Sequence, residues 1–247
     1  MCQECETNGL NRRNLFKLAG LAGVGFTAAA LTGGATTAAA RTPTKPVSSP
    51  AEALAKLKEG NRRFVEDADA CAAGLASLRG ELTGGQHPWA TILTCSDSRV
   101  SPELVFGGAT LGELFVVRNA GNVLDTGALG TIEYGAEHLK SPLVVVMGHS
   151  KCGAVSAACE EVEKGSEPGG SIGKMIQPIL PAAIAARSAG ASDLIADTVR
   201  RNAISGAVRI ANESAIMREL VEKGEVQVVA AVYDIATGKV EFIDSLN

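Results

Sequence analysis

The most informative segment of the chain reads Leu143-Val144-Val145-Val146-Met147-Gly148-His149-Ser150-Lys151-Cys152. Its first five residues are apolar, rich in β-branched valine and too few for a helix, so they predict a buried strand over 143–147. Two further short apolar runs precede it, at residues 90–94 and 114–117. Alanine-rich helical patterns follow the second and third runs, and this alternation predicts a parallel sheet with crossover helices.

The two ends of the folded region extend this pattern. Residues 51–65 are amphipathic and predict an N-terminal helical arm. More helix is predicted between residues 173 and 223, and two apolar runs at 226–233 and 239–243 are joined by a short turn, which predicts an antiparallel pair. The predicted fold class is therefore α/β. It has a mostly parallel central sheet of four strands plus an antiparallel C-terminal edge strand, flanked by helices.

Composition limits the classes of partner. The chain has 247 residues, of which 46% are hydrophobic, and this suits one or two globular domains, with one the simpler interpretation. The net charge is -4, and no run of Lys or Arg is long enough to follow a phosphate backbone. We therefore expect no nucleic-acid partner and favour a small neutral or anionic substrate.

The N-terminus has the layout of an export signal. Arg12 and Arg13 precede an uncharged stretch rich in Ala, Gly and Leu over residues 18–40. This layout is typical of a twin-arginine signal, and the three alanines at 38–40 predict cleavage just before Arg41. A membrane anchor is the alternative, but Gly and Thr occur throughout the stretch, whereas a span needs about 20 strongly apolar residues. We expect an exported protein, periplasmic or extracellular, with the twin-arginine translocase and signal peptidase as partners during export.

The chain thus divides into a signal peptide at 1–40, a proline-rich linker at 41–50 and a folded domain at 51–247. Cys2 and Cys5 form a lone CxxC pair inside the predicted signal. With no second pair nearby, this CxxC is not expected to bind a metal in the mature protein.

Two motifs follow the first and third predicted strands. Residues 95–99 read Cys-Ser-Asp-Ser-Arg, and residues 148–153 read Gly-His-Ser-Lys-Cys-Gly. Ligands of an open parallel sheet collect beyond the carboxyl ends of its strands, so the two loops meet if the strands are neighbours. Cys95, His149 and Cys152 would then offer two thiolates and one imidazole. Such a zinc set leaves the fourth tetrahedral position open, which indicates catalysis.

The remaining cysteines lie outside both motifs. We interpret Cys71 and Cys159 as small buried residues, although an exported protein could also join them in a disulfide.

Asp97 and Arg99 are a second candidate pair. Alternation along an extended segment sends Cys95, Asp97 and Arg99 toward the same side. Asp97 could occupy the fourth zinc position, or it could turn onto Arg99 and leave that position to water. The alternative is a surface ion pair of little energetic value. Adjacency to a predicted ligand favours a functional pair.

These motifs, CxDxR and HxxC, resemble those of the beta class of carbonic anhydrases. The resemblance covers nearly all of residues 50–247, and it extends to Gln86, Phe115 and Tyr134 with their neighbours. It implies one Zn²⁺ per subunit and reversible hydration of carbon dioxide to bicarbonate and a proton through a zinc-bound hydroxide.

The resemblance also implies an assembly. It would be a homodimer or homotetramer with active sites at subunit contacts, where Gln86, Phe115 and Tyr134 line the substrate pocket. Family members with an inhibitory bicarbonate site carry Trp three residues before the first zinc cysteine. That position here is Ile92, so we do not expect this regulation.

Two alternatives stay open from the motifs alone. One is hydrolysis of carbon disulfide or carbonyl sulfide by the same metal set. The other is a non-catalytic zinc-binding protein, in which Asp97 and Arg99 would be dispensable. His87 is a candidate proton shuttle, although its position before Pro88 suits a solvent-facing turn equally well.

Overall fold

One five-stranded sheet organises the part of the chain described in the computed structural model, which comprises residue 47 and residues 49–67, 82–107 and 111–243. The predicted export signal, Cys2, Cys5 and Cys71 lie outside these described residues. The strands are β1 (Ala90–Cys95), β2 (Leu114–Asn119), β3 (Leu143–His149), β4 (Gln227–Tyr233) and β5 (Val240–Ile243).

The strands lie in the order β2-β1-β3-β4-β5. The first four are parallel to one another, and β5 runs antiparallel to β4. The predicted sheet of four parallel strands with an antiparallel edge is therefore confirmed. β1 and β3 are neighbours, so the loops that follow them lie at the same edge.

The helices that flank this sheet are α1 (Pro50–Glu66), α2 (Pro102–Val105), α3 (Thr126–Glu137), α4 (Gly153–Lys164), α5 (Ser171–Ile176), α6 (Leu180–Ser188), α7 (Leu194–Glu213) and α8 (Ala215–Glu222). Two helical spans in the C-terminal half of the domain are divided. A 3-10 turn at Gln177–Ile179 separates α5 from α6, because Pro178 lacks the N–H that a continuous helix needs. Ser214 separates α7 from α8, and its Oγ accepts the Met217 N–H at 3.0 Å as an N-cap.

The two faces of the sheet pack against different helices because alternate residues of each buried strand point to opposite sides. Ile92 of β1 belongs to the face covered by α1, through Ala53 and Leu57. Leu93 belongs to the opposite face, which packs against α3, α7 and Met217 of α8. A third apolar cluster surrounds Cys95 and Cys152 with side chains of α4, α5, α6 and α7. The candidate ligands therefore lie in a well-packed region.

The predicted N-terminal arm is a helix that packs on the sheet of its own chain. Ser49 caps it by accepting the Glu52 N–H at 3.2 Å. The buried Asn61 donates to the carbonyls of Val105 and Gly238. These bonds fix α1 to the end of α2 and to the turn between β4 and β5. Among the described residues, no helix is long and apolar enough to cross a membrane.

Candidate metal centre

The pairing of β1 with β3 brings the two motif loops together. Cys95 is the last residue of β1 and His149 the last of β3. Cys152 follows three residues later as the N-cap of α4. Their three donor atoms all lie within 4.8 Å of one another, and the two Sγ atoms are 3.9 Å apart. All three residues are buried.

A tight turn returns the chain from β3 to the site. Ser150 donates its N–H to the Tyr233 carbonyl at 2.9 Å, and its Oγ accepts the Ile235 N–H at 3.0 Å. Lys151 has a positive φ of 56°, a left-handed conformation that is uncommon for a residue with a side chain. This turn places Cys152 beside His149.

One nitrogen of His149 is free to bind a metal. Nδ1 lies 2.9 Å from the Ser150 carbonyl, which can only accept, so Nδ1 carries the proton. Nε2 is then a bare lone pair, and it is buried without a hydrogen-bond partner among the described residues. Buried polar atoms are rarely left unpaired, and ligating histidines use this arrangement.

The two thiols are close enough for each to shift the pKa of the other. The neighbouring Cys152 lowers the pKa of Cys95 to about 4, although burial acts in the opposite direction. The Cys95 thiolate and burial together raise the pKa of Cys152 well above its ordinary value. Burial lowers the pKa of His149, but Cys95, the Ser150 carbonyl and Asp97 outweigh it, and the net shift is upward. A cation bound by both sulfurs would let both of them ionise.

These residues fit a zinc ion. Two sulfurs bound tetrahedrally at about 2.3 Å would lie about 3.8 Å apart, which matches the 3.9 Å between the Sγ atoms. Two thiolates and one imidazole are also ligands that zinc prefers.

Asp97 lies at the rim of this cluster and is held by Arg99. Oδ1 accepts from Arg99 Nε at 2.9 Å and from its backbone N–H at 3.0 Å, and Oδ2 accepts from Arg99 Nη2 at 2.7 Å. These bonds to Arg99 hold the pKa of Asp97 well below its usual range. Oδ2 is also 3.9 Å from His149 Nε2. The structure therefore places the carboxylate on Arg99 and beside the candidate metal ligands.

The loop that carries Cys95 and Asp97 is held by residues to which the sequence motifs assigned no role. Arg118 donates to the Cys95 carbonyl at 3.1 Å and to the Asp97 carbonyl at 2.8 Å. Gly121 donates its backbone N–H to Cys95 Sγ at 3.3 Å. In the sheet, Arg118 pairs with Thr94 and Asn119 pairs with Cys95. This register places the end of β2 beside the loop.

The three predicted pocket residues lie elsewhere in the same chain. Phe115 pairs with Thr91 near the amino end of the sheet, four residues before the end of β2 and so about 13 Å from it. The Tyr134 ring lies 6.1 Å from the Phe115 ring and is half exposed. Gln86 and His87 are exposed and precede β1 at that same end. Within one chain, these side chains therefore lie at the opposite end of the sheet from the candidate metal ligands.

Cys159 is buried, as predicted, with its Sγ 3.4 Å from Thr198 Oγ1.

Comparison with known proteins places the chain in a family. The model of the carbonic anhydrase family matches residues 90–240. The chain is 36% identical over 202 residues to carbonic anhydrase 2 of Mycobacterium tuberculosis, covering 82% of this chain and 97% of that protein. It is 36% identical over 203 residues to the carbonic anhydrase of Mycolicibacterium smegmatis, with the same coverage of 82% and 97%.

Solved structures agree. The β-carbonic anhydrase of Coccomyxa in complex with acetazolamide matches with a TM-score of 0.60 and 30% identity, over 76% of this chain and 85% of that one. A tetrameric β-carbonic anhydrase of Sordaria macrospora shares the fold, with a TM-score of 0.62 and 23% identity, over 74% of this chain and 97% of that one. The chain belongs to the beta class of the carbonic anhydrase family.

Metal content tests the ligand set directly. We expect the purified protein to contain one zinc per chain, and we expect Cys95→Ser, His149→Ala and Cys152→Ser each to lose most of it, since two remaining ligands hold zinc poorly. Cys159→Ser is the matched control, because that thiol is also buried but lies outside the cluster. Elemental analysis of the dialysed proteins is the measurement. Full zinc content in the three ligand variants, or an equal loss in the control, would contradict the assignment.

Proposed function

We propose that this protein catalyses the reversible hydration of carbon dioxide to bicarbonate and a proton, with Zn²⁺ bound by Cys95, His149 and Cys152. One observation carries the proposal. Three buried donor atoms lie within 4.8 Å of one another beside a carboxylate that is fixed on an arginine. The relatives named carbonic anhydrase support the same activity.

Each residue then has a definite task. When bound, zinc supplies the Lewis acidity that makes water nucleophilic near neutral pH. His149 presents Nε2 because its Nδ1–H donates to the Ser150 carbonyl. Arg99 would keep Asp97 from binding the zinc, because it holds the carboxylate by three hydrogen bonds.

Asp97 orients the attacking water. Oδ1 accepts two hydrogen bonds from Arg99, whereas Oδ2 accepts one and so retains a free acceptor site. Oδ2 is also the oxygen that faces His149 Nε2. Because Arg99 lowers the pKa of Asp97, the group stays ionised and can only accept. It would therefore accept a hydrogen bond from an O–H of the water and direct the water's lone pair to the carbon of the substrate.

Substitution of Asp97 tests this role. Asp97→Asn should keep its zinc and lower kcat for carbon dioxide hydration by about tenfold or more, because the amide can donate at the position where an acceptor is needed. Glu241→Gln is the control, since it removes only an exposed ion pair with Arg200. Stopped-flow hydration assays on zinc-matched samples, with and without a chelator, are the measurement.

Several outcomes would count against the proposal. Full activity of Asp97→Asn would indicate that the carboxylate is dispensable. Activity that survives complete removal of the metal would exclude the zinc site. Turnover of carbon disulfide or carbonyl sulfide without carbon dioxide hydration would assign the protein to the other chemistry.

The active unit is proposed to be a dimer or a tetramer. Gln86, Phe115 and Tyr134 lie at the amino end of the sheet, whereas Cys95 and His149 lie at its carboxyl end. A second copy is then needed to bring the three pocket side chains against a metal site. The Tyr134 side chain is half exposed and so is available for such a contact.

Light scattering can test this assembly. Wild-type protein should have the mass of a dimer or a tetramer, and Tyr134→Asp should shift it toward the monomer and lower activity together. Ile184→Asp is the control, because Ile184 of α6 is similarly exposed and should leave the mass unchanged. A fully active wild-type monomer would contradict the proposed assembly.

Export through the twin-arginine route, to the periplasm or the exterior, is the proposed location. Arg12, Arg13 and the alanines at 38–40 support it, and a route that carries folded proteins would let zinc bind before export. We expect the mature protein to begin at Arg41 and Arg12→Lys/Arg13→Lys to block its export. N-terminal sequencing of fractionated cells is the measurement, and an intact N-terminus retained in the cytoplasm of the wild type would overturn the proposal.

A further inference from the structure

The loop from Asn119 to Val123 contacts the sulfur of Cys95. It begins at the last residue of β2, and its Gly121 N–H donates to Cys95 Sγ at 3.3 Å. A hydrogen bond to a thiolate withdraws electron density from the sulfur, and this changes how strongly the sulfur donates to a bound metal. The position of one backbone N–H therefore bears on the electronic state of the metal centre.

The loop is closed on itself by the side chain of Asn119. Its Oδ1 accepts the Val123 N–H and its Nδ2 donates to the Val123 carbonyl, both at 2.7 Å. Gly121 has a φ of 81°, which favours glycine. A Cβ at Gly121 would lie 2.7 Å from Ile179 Cδ1 and 3.0 Å from Ala154 Cβ. The loop accordingly has little room to move toward α4.

A single residue from a distant part of the chain fixes the centre of this loop. Asn202 of α7 donates its Nδ2–H to the Gly121 carbonyl at 2.9 Å, across a sequence separation of 81 residues. Asn202 is buried, and so is this hydrogen bond. A buried amide with such a bond is costly to replace, because the carbonyl it satisfies would be left without that partner.

We infer that Asn202 is a positioning residue for the metal centre, which holds Gly121 so that its N–H donates to the Cys95 sulfur. Asn202 acts through the loop, because its side chain donates to the Gly121 carbonyl and not to a candidate metal ligand. The inference deepens the proposed function, on which it rests for its effect on catalysis. Its effect on the sulfur is independent of any turnover.

The experiment replaces zinc with Co²⁺, whose thiolate-to-metal charge-transfer band reports directly on the sulfur donors. In Asn202→Leu, the Gly121 N–H should no longer be held on Cys95 Sγ, so the sulfur becomes a stronger donor. The band should move to longer wavelength than in the wild type. Turnover of the zinc form should fall by about tenfold, as is usual when an outer hydrogen bond to a metal ligand is lost.

Two controls separate this effect from a loss of stability or packing. Asn61→Leu removes an equally buried amide on the other face of the sheet. Val199→Ala changes the packing around the site from the same helix without removing a hydrogen bond. Both controls should lower the urea midpoint of unfolding while leaving the cobalt band in place. If Asn202→Leu does not fold, Asn202→Ser takes its place in the experiment. Serine is smaller, remains polar and is too short to reach the Gly121 carbonyl.

The outcomes are distinct from those for the proposed function. An unchanged band in the folded Asn202 variant, or an equal shift in the Val199 control, would overturn the role of Asn202. A wild-type protein that shows the thiolate band but no carbon dioxide hydration would overturn the proposed function instead, while the band shift would still decide the role of Asn202.

Discussion

The candidate metal centre depends on the hydrogen-bonded pairing of β1 with its parallel neighbour β3. Parallel neighbours end at the same edge of a sheet, so the residues that follow them meet although they are far apart in sequence. Cys95 and Cys152 are separated by 57 positions, yet their sulfurs lie 3.9 Å apart. Any change in strand order would remove this contact, and with it the cluster of donor atoms.

This arrangement concentrates negative charge in a buried place, and the surrounding chain compensates for it. Arg99 neutralises Asp97, and Arg118 binds the carbonyls of the same loop. Gly121 donates to one sulfur, while the other lies at the N-terminus of α4, where the helix dipole favours an anion. Even so, the Cys95 and Cys152 sulfurs are only 3.9 Å apart, and His149 Nε2 has no hydrogen-bond partner among the described residues. A divalent cation would bind both sulfurs and the Nε2 lone pair.

The sequence was sufficient to predict whatever depends on periodicity or on a general rule of sheets. The apolar runs identified all five strands to within two residues, and the rule for parallel strands predicted that the loop of Cys95 would meet that of His149. Contacts that leave no periodic signal were not predicted. Asn202 binds Gly121 from 81 residues away, and Ser214 divides a span whose apolar pattern continues without interruption.

X-ray absorption at the zinc edge of the purified protein is the most direct test of the central claim. The structure predicts two sulfur neighbours at about 2.3 Å and two lighter neighbours, one from His149 and one from water, at about 2.0–2.1 Å. This shell corresponds to an open site with three protein ligands. A shell of four sulfurs, or one without sulfur, would contradict the assignment of Cys95 and Cys152 as the metal's thiolates.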